Sequence, residues 1–425
     1  MLHDLADGHG TRGASELAKF VELVGSVGAL RVHTDEECAL RVRPGGGIGL
    51  ARSHCEIMPR YAPPVTALAD RLAARTLELV NIPSQSGSEQ AIRGRLLELV
   101  PEDWTAEFEG DEAFLFAPPR RAGMPLIVLA AHYDTVPPQD NLPGRIADGA
   151  VYGVGASDMK GGLAVAIELA RDENLRSAAV ADFALLLFGR EELPAEHNPL
   201  PALFGGSSLV HEATLAVVLE PTDLAIHAGC LGNVVARLTF HGTSGHAARP
   251  WLADSALERS VRGLAPLFEL APRLAVVNGL QFREVLSVTR LHAGIADNVI
   301  PGEAVATVNL RYPPDREPAE AEAFLAGLAP AGATLEVLSN APPAQVVDSP
   351  AVRALQRAGG LEIGPKQAWT NVADFTTRGL DAVNFGPGHT AFAHHPDERV
   401  AIDALVSAYE VLGRFLASPI GEDAP

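Results

Sequence analysis

The sequence predicts an α/β protein in which a main domain with a mixed sheet is interrupted by a smaller, ferredoxin-like domain. Short, continuously apolar runs alternate with helical segments over residues 65–232, and such runs are typical of strands that a sheet buries on both faces. The pattern then changes to the order β-α-β-β-α-β over residues 233–344, which is the ferredoxin-like arrangement. Helical segments return in residues 345–425, so we expect this part to rejoin the main domain.

The main domain is therefore predicted to be discontinuous and to consist of residues 64–232 and 345–425. Its predicted strands are apolar runs at residues 126–131, 181–188 and 214–219. Its predicted helices lie at residues 65–79, 161–171, 350–358 and 402–416. Strands that alternate with helices in this way indicate a layered α/β domain.

The inserted domain is predicted from residue 233 to residue 344. Its predicted strands lie at residues 233–245, 285–291, 303–310 and 334–338, and its predicted helices at residues 255–270 and 318–328. A proline-rich stretch at residues 340–345 is interpreted as its exit linker. Residues 1–63 differ from both domains, with weak patterns and a glycine-rich run. We interpret residues 1–57 as a disordered extension or an over-long gene prediction, with Met58 as the natural start.

Composition excludes some classes of function. The chain of 425 residues carries a formal net charge of -20, and such a surface repels nucleic acid and anionic membranes. No stretch approaches the roughly 18 apolar residues of a membrane span. The three cysteines, Cys38, Cys55 and Cys230, are too sparse for a disulfide framework or a thiolate metal site. They fit a reducing compartment, so we predict a cytoplasmic protein.

Polar side chains follow the buried strands at the points where each strand ends. His132 and Asp134 come directly after the first strand, and the pair Glu191–Glu192 and then Glu220 follow the next two. Open α/β sheets place their sites at such strand ends. Two further candidates are Asp158, in a glycine-rich loop before a helix, and the pair His394–His395 near the end of the chain.

Each of these residues alone has an ordinary structural explanation. Asp158 could cap the helix that follows it, the two adjacent glutamates could form a solvated face, and His132 could be structural. Together, two histidines with several carboxylates and no cysteine suit a pair of divalent ions. Such a pair lowers the pKa of a shared water and polarises a carbonyl, while a nearby carboxylate takes the proton. The alternative of a phosphate-binding loop fails, because "GVGASDMKGG" lacks the Gly-x4-Gly-Lys-Ser/Thr spacing.

The ordered motifs "HYDTVP", "GASDMKGG", "REE", "EPTD", "GHAARP", "DNVIP", "NLRY" and "GPG…AHHPDE" resemble those of a known superfamily. This is the zinc aminoacylase and metallopeptidase superfamily, which includes succinyl-diaminopimelate desuccinylases, acetylornithine deacetylases and carboxypeptidase G-type enzymes. The resemblance covers residues 65–416. It implies two divalent metal ions, zinc or alternatively cobalt, and a mixed-sheet catalytic domain with an inserted lid and dimerisation domain.

Matched motif by motif, the resemblance implies a role for each polar residue at the strand ends. His132 and Glu220 would bind one metal ion, Glu192 and His394 would bind the other, and Asp158 would bridge both. Glu191 would be the general base and Asp134 would orient His132. His394 is preferred to His395 because only His394 fits the pattern Ala-His-x-x-Asp-Glu.

In the inserted domain, the resemblance implies that His246 stabilises the oxyanion, reaching across the interface of a homodimer. Asn298, Arg311 and Gly388 resemble substrate-binding positions, and Arg311 could hold a substrate carboxylate through two hydrogen bonds. The partner would be a small N-acylated amino acid that carries carboxylates.

Within the superfamily, the sequence is most similar to the desuccinylases, which implies hydrolysis of N-succinyl-L,L-2,6-diaminopimelate in lysine and cell-wall precursor synthesis. Three alternatives stay open at this point: an acetylornithine deacetylase, another N-acyl-amino-acid hydrolase, and a dipeptidase or carboxypeptidase of the same fold. A scaffold protein that retains the fold without catalysis is disfavoured, because Glu191 and all five metal ligands are present.

Overall fold

A computed structural model of the protein describes residues 65–421. The predicted extension at residues 1–63, with its proposed start at Met58, lies outside the described residues. Within them, no helix is long and apolar enough to cross a membrane.

The described chain contains strands that are numbered here in chain order. They are β1 (Thr105–Glu109), β2 (Ala113–Ala117), β3 (Leu126–His132), β4 (Arg145–Ala147), β5 (Ala150–Tyr152), β6 (Asp182–Phe188), β7 (Ala213–Val218), β8 (Ile226–Cys230), β9 (Gly232–His241), β10 (Gly245–His246), β11 (Arg273–Val277), β12 (Leu280–Ala293), β13 (Val299–Ile300), β14 (Glu303–Tyr312), β15 (Ala333–Ala341), β16 (Ile363–Lys366), β17 (Ala382–Asn384) and β18 (Arg399–Ala401).

The α-helices of the same residues are also numbered in chain order. They are α1 (Val65–Val80), α2 (Gln90–Leu99), α3 (Gly161–Arg171), α4 (Glu173–Ala178), α5 (Leu200–Gly206), α6 (Ala256–Phe268), α7 (Pro318–Leu328), α8 (Pro350–Gly359), α9 (Val372–Thr376) and α10 (Ile402–Leu416).

The largest sheet is mixed and has eight strands in the order β1-β2-β6-β3-β7-β17-β8-β16. Its centre is parallel: β3 pairs with β6 on one side and with β7 on the other, and β7 pairs with β17. Every residue of β3 and β6 is buried, as their continuously apolar sequences predicted. The three predicted strands and four predicted helices of the main domain are confirmed, with ends that differ by at most one residue.

Alternate residues of β3 pack into cores on opposite faces of this sheet. Ile127, Leu129 and Ala131 belong to a core with residues of α1, α3, α8 and α10. Leu126 and Val128 belong to a second core with residues of α5 and α9. The sheet is therefore covered by helices on both faces, which confirms the predicted α/β class.

Residues 232–341 form a separate sheet of five strands in the order β11-β12-β14-β9-β15, with its own core. The helices α6 and α7 contribute Leu264 and Leu325 to that core. Within this sheet the predicted order holds, with one additional strand: β11 forms a hairpin with β12 through Asn278 and Gly279, both with positive φ. The short strands β10 and β13, which were not predicted as separate strands, pair in a sheet of their own. β15 also continues two residues into the predicted linker, as far as Ala341. The domain boundaries themselves stay a prediction, since the described chain forms one compact unit.

Candidate metal centre

The carboxyl ends of β3, β6 and β7 lie at the same edge of the large sheet because these strands are parallel neighbours. His132 is the last residue of β3, and its register partner on β6 is Phe188. The pair Glu191–Glu192 and the residue Glu220 follow within a few positions of the ends of β6 and β7. The sheet thus brings together side chains that the sequence places far apart.

The inner part of the centre consists of His132, Asp158 and Glu220, and only Asp158 among them is partly exposed. The His132 Nε2 lies 3.2 Å from Asp158 Oδ1 and 3.8 Å from Glu220 Oε1. His132 is fully buried and Glu220 is 5% exposed. One nitrogen and two carboxylate oxygens are thus close enough together to hold one ion.

The outer part consists of Asp158, Glu192 and His394. The His394 Nε2 lies 2.8 Å from Glu192 Oε1 and 3.6 Å from Asp158 Oδ2. The hydrogen bond with Glu192 raises the pKa of His394 to about 9. Asp158 therefore offers one oxygen atom to each group, as the predicted role of shared ligand would require.

The residues fit two divalent ions. In each group the ligand atoms lie within 4.8 Å of one another. Two histidines and three carboxylates are ligands that zinc and similar ions accept. The centre also concentrates negative charge: burial and then the carboxylates of Glu192, Glu220 and Asp158 raise the pKa of Glu191 well above its usual range. Such a cluster of buried carboxylates is a favourable environment for cations.

Asp134 contacts His132, but its carboxylate mainly holds another part of the chain. The His132 Nδ1 lies 3.1 Å from the Asp134 carbonyl oxygen and 3.4 Å from Oδ1. The carboxylate accepts the backbone N–H groups of Glu191 (3.1 Å) and Glu192 (3.2 Å) and the hydroxyl of Ser86 (2.6 Å). Burial would raise the pKa of the Asp134 carboxyl, but its hydrogen-bond partners lower it below the usual value.

Glu191 belongs to neither metal group but interacts electrostatically with members of both, His132 and Glu220 on one side and Glu192 on the other. In residues 65–421 its carboxylate forms no hydrogen bond and no ion pair, so both oxygens are free for a water molecule. The preceding residue, Arg190, has a φ of 62° and pairs with Asp111 at 2.7 Å, which fixes the start of the turn.

Two buried side chains that were not predicted from the sequence hold the ligands in position through hydrogen bonds. Glu398 accepts the backbone N–H groups of Ser157 and Asp158, both at 3.0 Å, and burial raises the pKa of Glu398 to about 7. Lys366 donates to Glu220 Oε2 at 3.3 Å and to the carbonyl of Pro221 at 3.1 Å. The only signals in the sequence were the presence of Glu398 in the motif "AHHPDE" and of Lys366 among three lysines.

Within residues 65–421 of the single chain, neither His246 nor Asn298 forms a hydrogen bond or ion pair with any of the five proposed metal ligands. His246 is exposed on β10, where it pairs with Val299 of β13, and its Nδ1 accepts the N–H of Ala248. The Asn298 carbonyl accepts the N–H of Ala247, so both predicted residues lie together where β10 pairs with β13.

Arg311 and Gly388 are placed close to the centre. Arg311 lies on β14 and donates to Asn309, and burial lowers the pKa of its guanidinium, while the charge of Glu191 opposes this shift. A side chain at Gly388 would collide with the Ser157 carbonyl oxygen, which lies 2.3 Å from an ideal Cβ. Gly388 therefore permits close contact with the turn that carries Asp158.

The sequence matches a known protein family and named relatives within the curated proteins. Residues 128–418 match the peptidase family M20/M25/M40. The succinyl-diaminopimelate desuccinylase of Corynebacterium glutamicum is 34% identical over 80% of this chain and 95% of its own length. A Mycobacterium tuberculosis protein assigned provisionally to the same activity is 33% identical over 80% of this chain and 96% of its own.

The fold is similar to that of the M20-family metallo-carboxypeptidase Sso-CP2 from Sulfolobus solfataricus. The TM-score is 0.65 and the identity 18%, over 82% of this chain and 99% of that one. At that identity the likeness shows the fold alone, whereas the sequence relatives show the family. The chain belongs to the peptidase family M20/M25/M40 and is a metal-dependent hydrolase of amide bonds.

Proposed function

We propose that this enzyme hydrolyses N-succinyl-L,L-2,6-diaminopimelate to L,L-diaminopimelate and succinate, and so contributes to the synthesis of lysine and cell-wall precursors. The observation that carries the proposal is a partly buried arginine that forms no ion pair in residues 65–421 and interacts electrostatically with the candidate general base. Within the described residues Arg311 forms no ion pair, although the chain is strongly acidic, and the charge of Glu191 acts to raise the pKa of its guanidinium. A guanidinium in this state is suited to bind a carboxylate of the substrate.

The desuccinylase names of the two sequence relatives supply the specific substrate. That substrate carries several carboxylates around a single amide bond, which suits a site with a free arginine. A cytoplasmic location, predicted from the sparse cysteines, agrees with this biosynthetic role.

We propose two zinc ions, with cobalt as the alternative, held by the ligands described above. When bound, such a pair lowers the pKa of a water molecule and polarises the amide carbonyl. Glu191 accepts the proton of the attacking water and delivers it to the amine nitrogen as the C–N bond breaks. Asp134 keeps both His132 and the Glu191–Glu192 turn in place during these steps.

We also propose that the protein acts as a homodimer in which His246 of one protomer reaches the centre of its partner and donates to the oxyanion. Asn298, which lies near His246 where β10 pairs with β13, would then contact the substrate. Exposed apolar side chains on α6 and on β11 of the five-stranded sheet support an interface there; they are Leu257, Val261, Phe268, Leu274 and Val276.

The test is a hydrolysis assay of the zinc-loaded protein on N-succinyl-L,L-diaminopimelate and, in parallel, on N-acetylornithine, each with and without a chelator. We expect a strong preference for the succinyl substrate that the chelator abolishes. A preference for the acetyl substrate would retain the metal chemistry and make the enzyme a deacetylase. Inactivity on both substrates with two metals bound would reject the substrate assignment.

Arg311→Met should raise KM for the succinyl substrate about 10- to 100-fold, because a hydrogen-bonded contact to a charged group contributes about 1.5–3 kcal/mol. We expect kcat to change much less, since Arg311 lies outside both metal groups. Arg237→Met is the matched control, because Arg237 is on the adjacent strand β9 and pairs with Glu336. An unchanged KM in the Arg311 variant would show that the carboxylate is bound elsewhere.

A further inference from the structure

The loop before α2 is fastened to the residue that follows Asp134. The backbone N–H of Ser86 donates to the Thr135 carbonyl at 3.1 Å, and the Thr135 N–H donates to the Ser84 carbonyl at 2.9 Å. The Glu89 carboxylate accepts the Gly87 N–H at 2.7 Å and closes the loop from the other side. The backbone of Ser86 is therefore fixed relative to the end of β3.

From this fixed position, the Ser86 hydroxyl donates to Asp134 Oδ2 at 2.6 Å. That distance is typical of a strong hydrogen bond between a hydroxyl and an ionised carboxylate. Asp134 is fully buried, so water cannot readily replace the hydroxyl if it is removed.

The same carboxylate receives the N–H groups of the turn that carries the general base and a metal ligand. Glu191 N–H donates to Oδ1 and Glu192 N–H donates to Oδ2, the oxygen that Ser86 also contacts. A carboxylate that loses one of the donors to Oδ2 is held less firmly against rotation about its Cβ–Cγ bond. Both N–H contacts would then shift, and the two glutamate side chains would shift with them.

We propose that Ser86 is a positioning residue, which acts through Asp134 to set the location of Glu191 and Glu192 relative to the metal centre. Ser86 contacts none of the five ligands and does not touch the reacting atoms. The proposal rests on the proposed function, because it assigns Glu191 to proton transfer and Glu192 to metal binding. General-base efficiency depends on the position of the accepting oxygen, and metal affinity depends on groups that orient the ligands.

The test compares Ser86→Ala with Ser86→Thr, which keeps the hydroxyl, and with Ser88→Ala. Ser88 is an exposed serine of the same loop whose side chain forms no hydrogen bond within residues 65–421, so it is the matched control. For the alanine variant at position 86 we expect kcat to fall about tenfold or more with KM within about twofold, since a hydrogen bond to a buried charge is lost. The threonine variant should recover most of that loss, and Ser88→Ala should behave as the unmodified protein.

A second readout needs no substrate. Metal release to a chelating indicator should be about tenfold faster from Ser86→Ala than from the unmodified protein, and near normal from Ser86→Thr. If the unmodified enzyme hydrolyses neither test substrate, the substrate assignment fails and metal release alone decides the role of Ser86. Equal kcat and equal release rates in Ser86→Ala and Ser88→Ala would overturn the proposal. A loss in Ser86→Ala that threonine does not recover would also overturn it.

Discussion

Glu191→Gln is expected to reduce kcat by about a thousandfold while both metal ions stay bound, because general acid–base catalysis contributes about 10²–10⁴-fold. The substitution keeps the size of the side chain and removes its ability to accept a proton. Glu191 lies in neither metal group, so the ligand set is intact in the variant. Steady-state kinetics on the succinyl substrate and metal content after dialysis together test the expectation.

Glu196→Gln is the control for this experiment, because Glu196 is an exposed acid in the next turn of the same loop. It should leave kcat and metal content unchanged. If Glu191→Gln lost metal instead of only activity, the roles of Glu191 and Glu192 would have to be exchanged. If it kept full activity, another group would have to accept the proton.

Asp158→Asn is expected to weaken both metal subsites at once and to lower activity by about a thousandfold or more, since metal ions contribute several kcal/mol to such reactions. Asp158 is the one member that the two groups share, through Oδ1 on one side and Oδ2 on the other. An asparagine retains one oxygen and no charge, so it cannot bridge two cations. Metal content after dialysis should fall from two ions per chain to fewer than one.

Asp148→Asn is the matched control for the bridging residue. Asp148 is exposed in the turn between β4 and β5 with a φ of 49°, a conformation that asparagine also adopts readily. It should keep both ions and full activity. Two tightly bound ions in Asp158→Asn would show that Asp158 does not bridge them.

Long apolar runs made the centre of the main sheet predictable. β3 and β6 are buried along their whole length, and only a strand between two neighbours needs that composition. Strands of three or four residues, such as β16 and β17, carry too little pattern to be recognised without their neighbours. The hairpin of β11 and β12 could have been predicted, because its turn, Asn278–Gly279, is a strong two-residue turn signal in the sequence.

The sequence motifs also predicted which side chains would meet. The five proposed metal ligands lie in the two groups that the motifs implied, while their roles stay predictions. The polar residues that hydrogen-bond to the ligands and to Asp134 could not be predicted. Ser86, Lys366 and Glu398 hold partners that are 48, 146 and 240 positions away in the chain. A single serine, lysine or glutamate carries no local sign of such a distant contact.

The wide separation of the metal ligands along the chain also links metal occupancy to folding. The ligands come from positions between 132 and 394, so the unfolded chain cannot gather them, and ions that bind only the native state stabilise it by mass action. One ion at a free concentration a hundredfold above its dissociation constant adds about 2.7 kcal/mol. The heat resistance of this enzyme is thus a function of the free metal in its surroundings, and a metal-starved cell would hold a protein that is both inactive and easier to degrade.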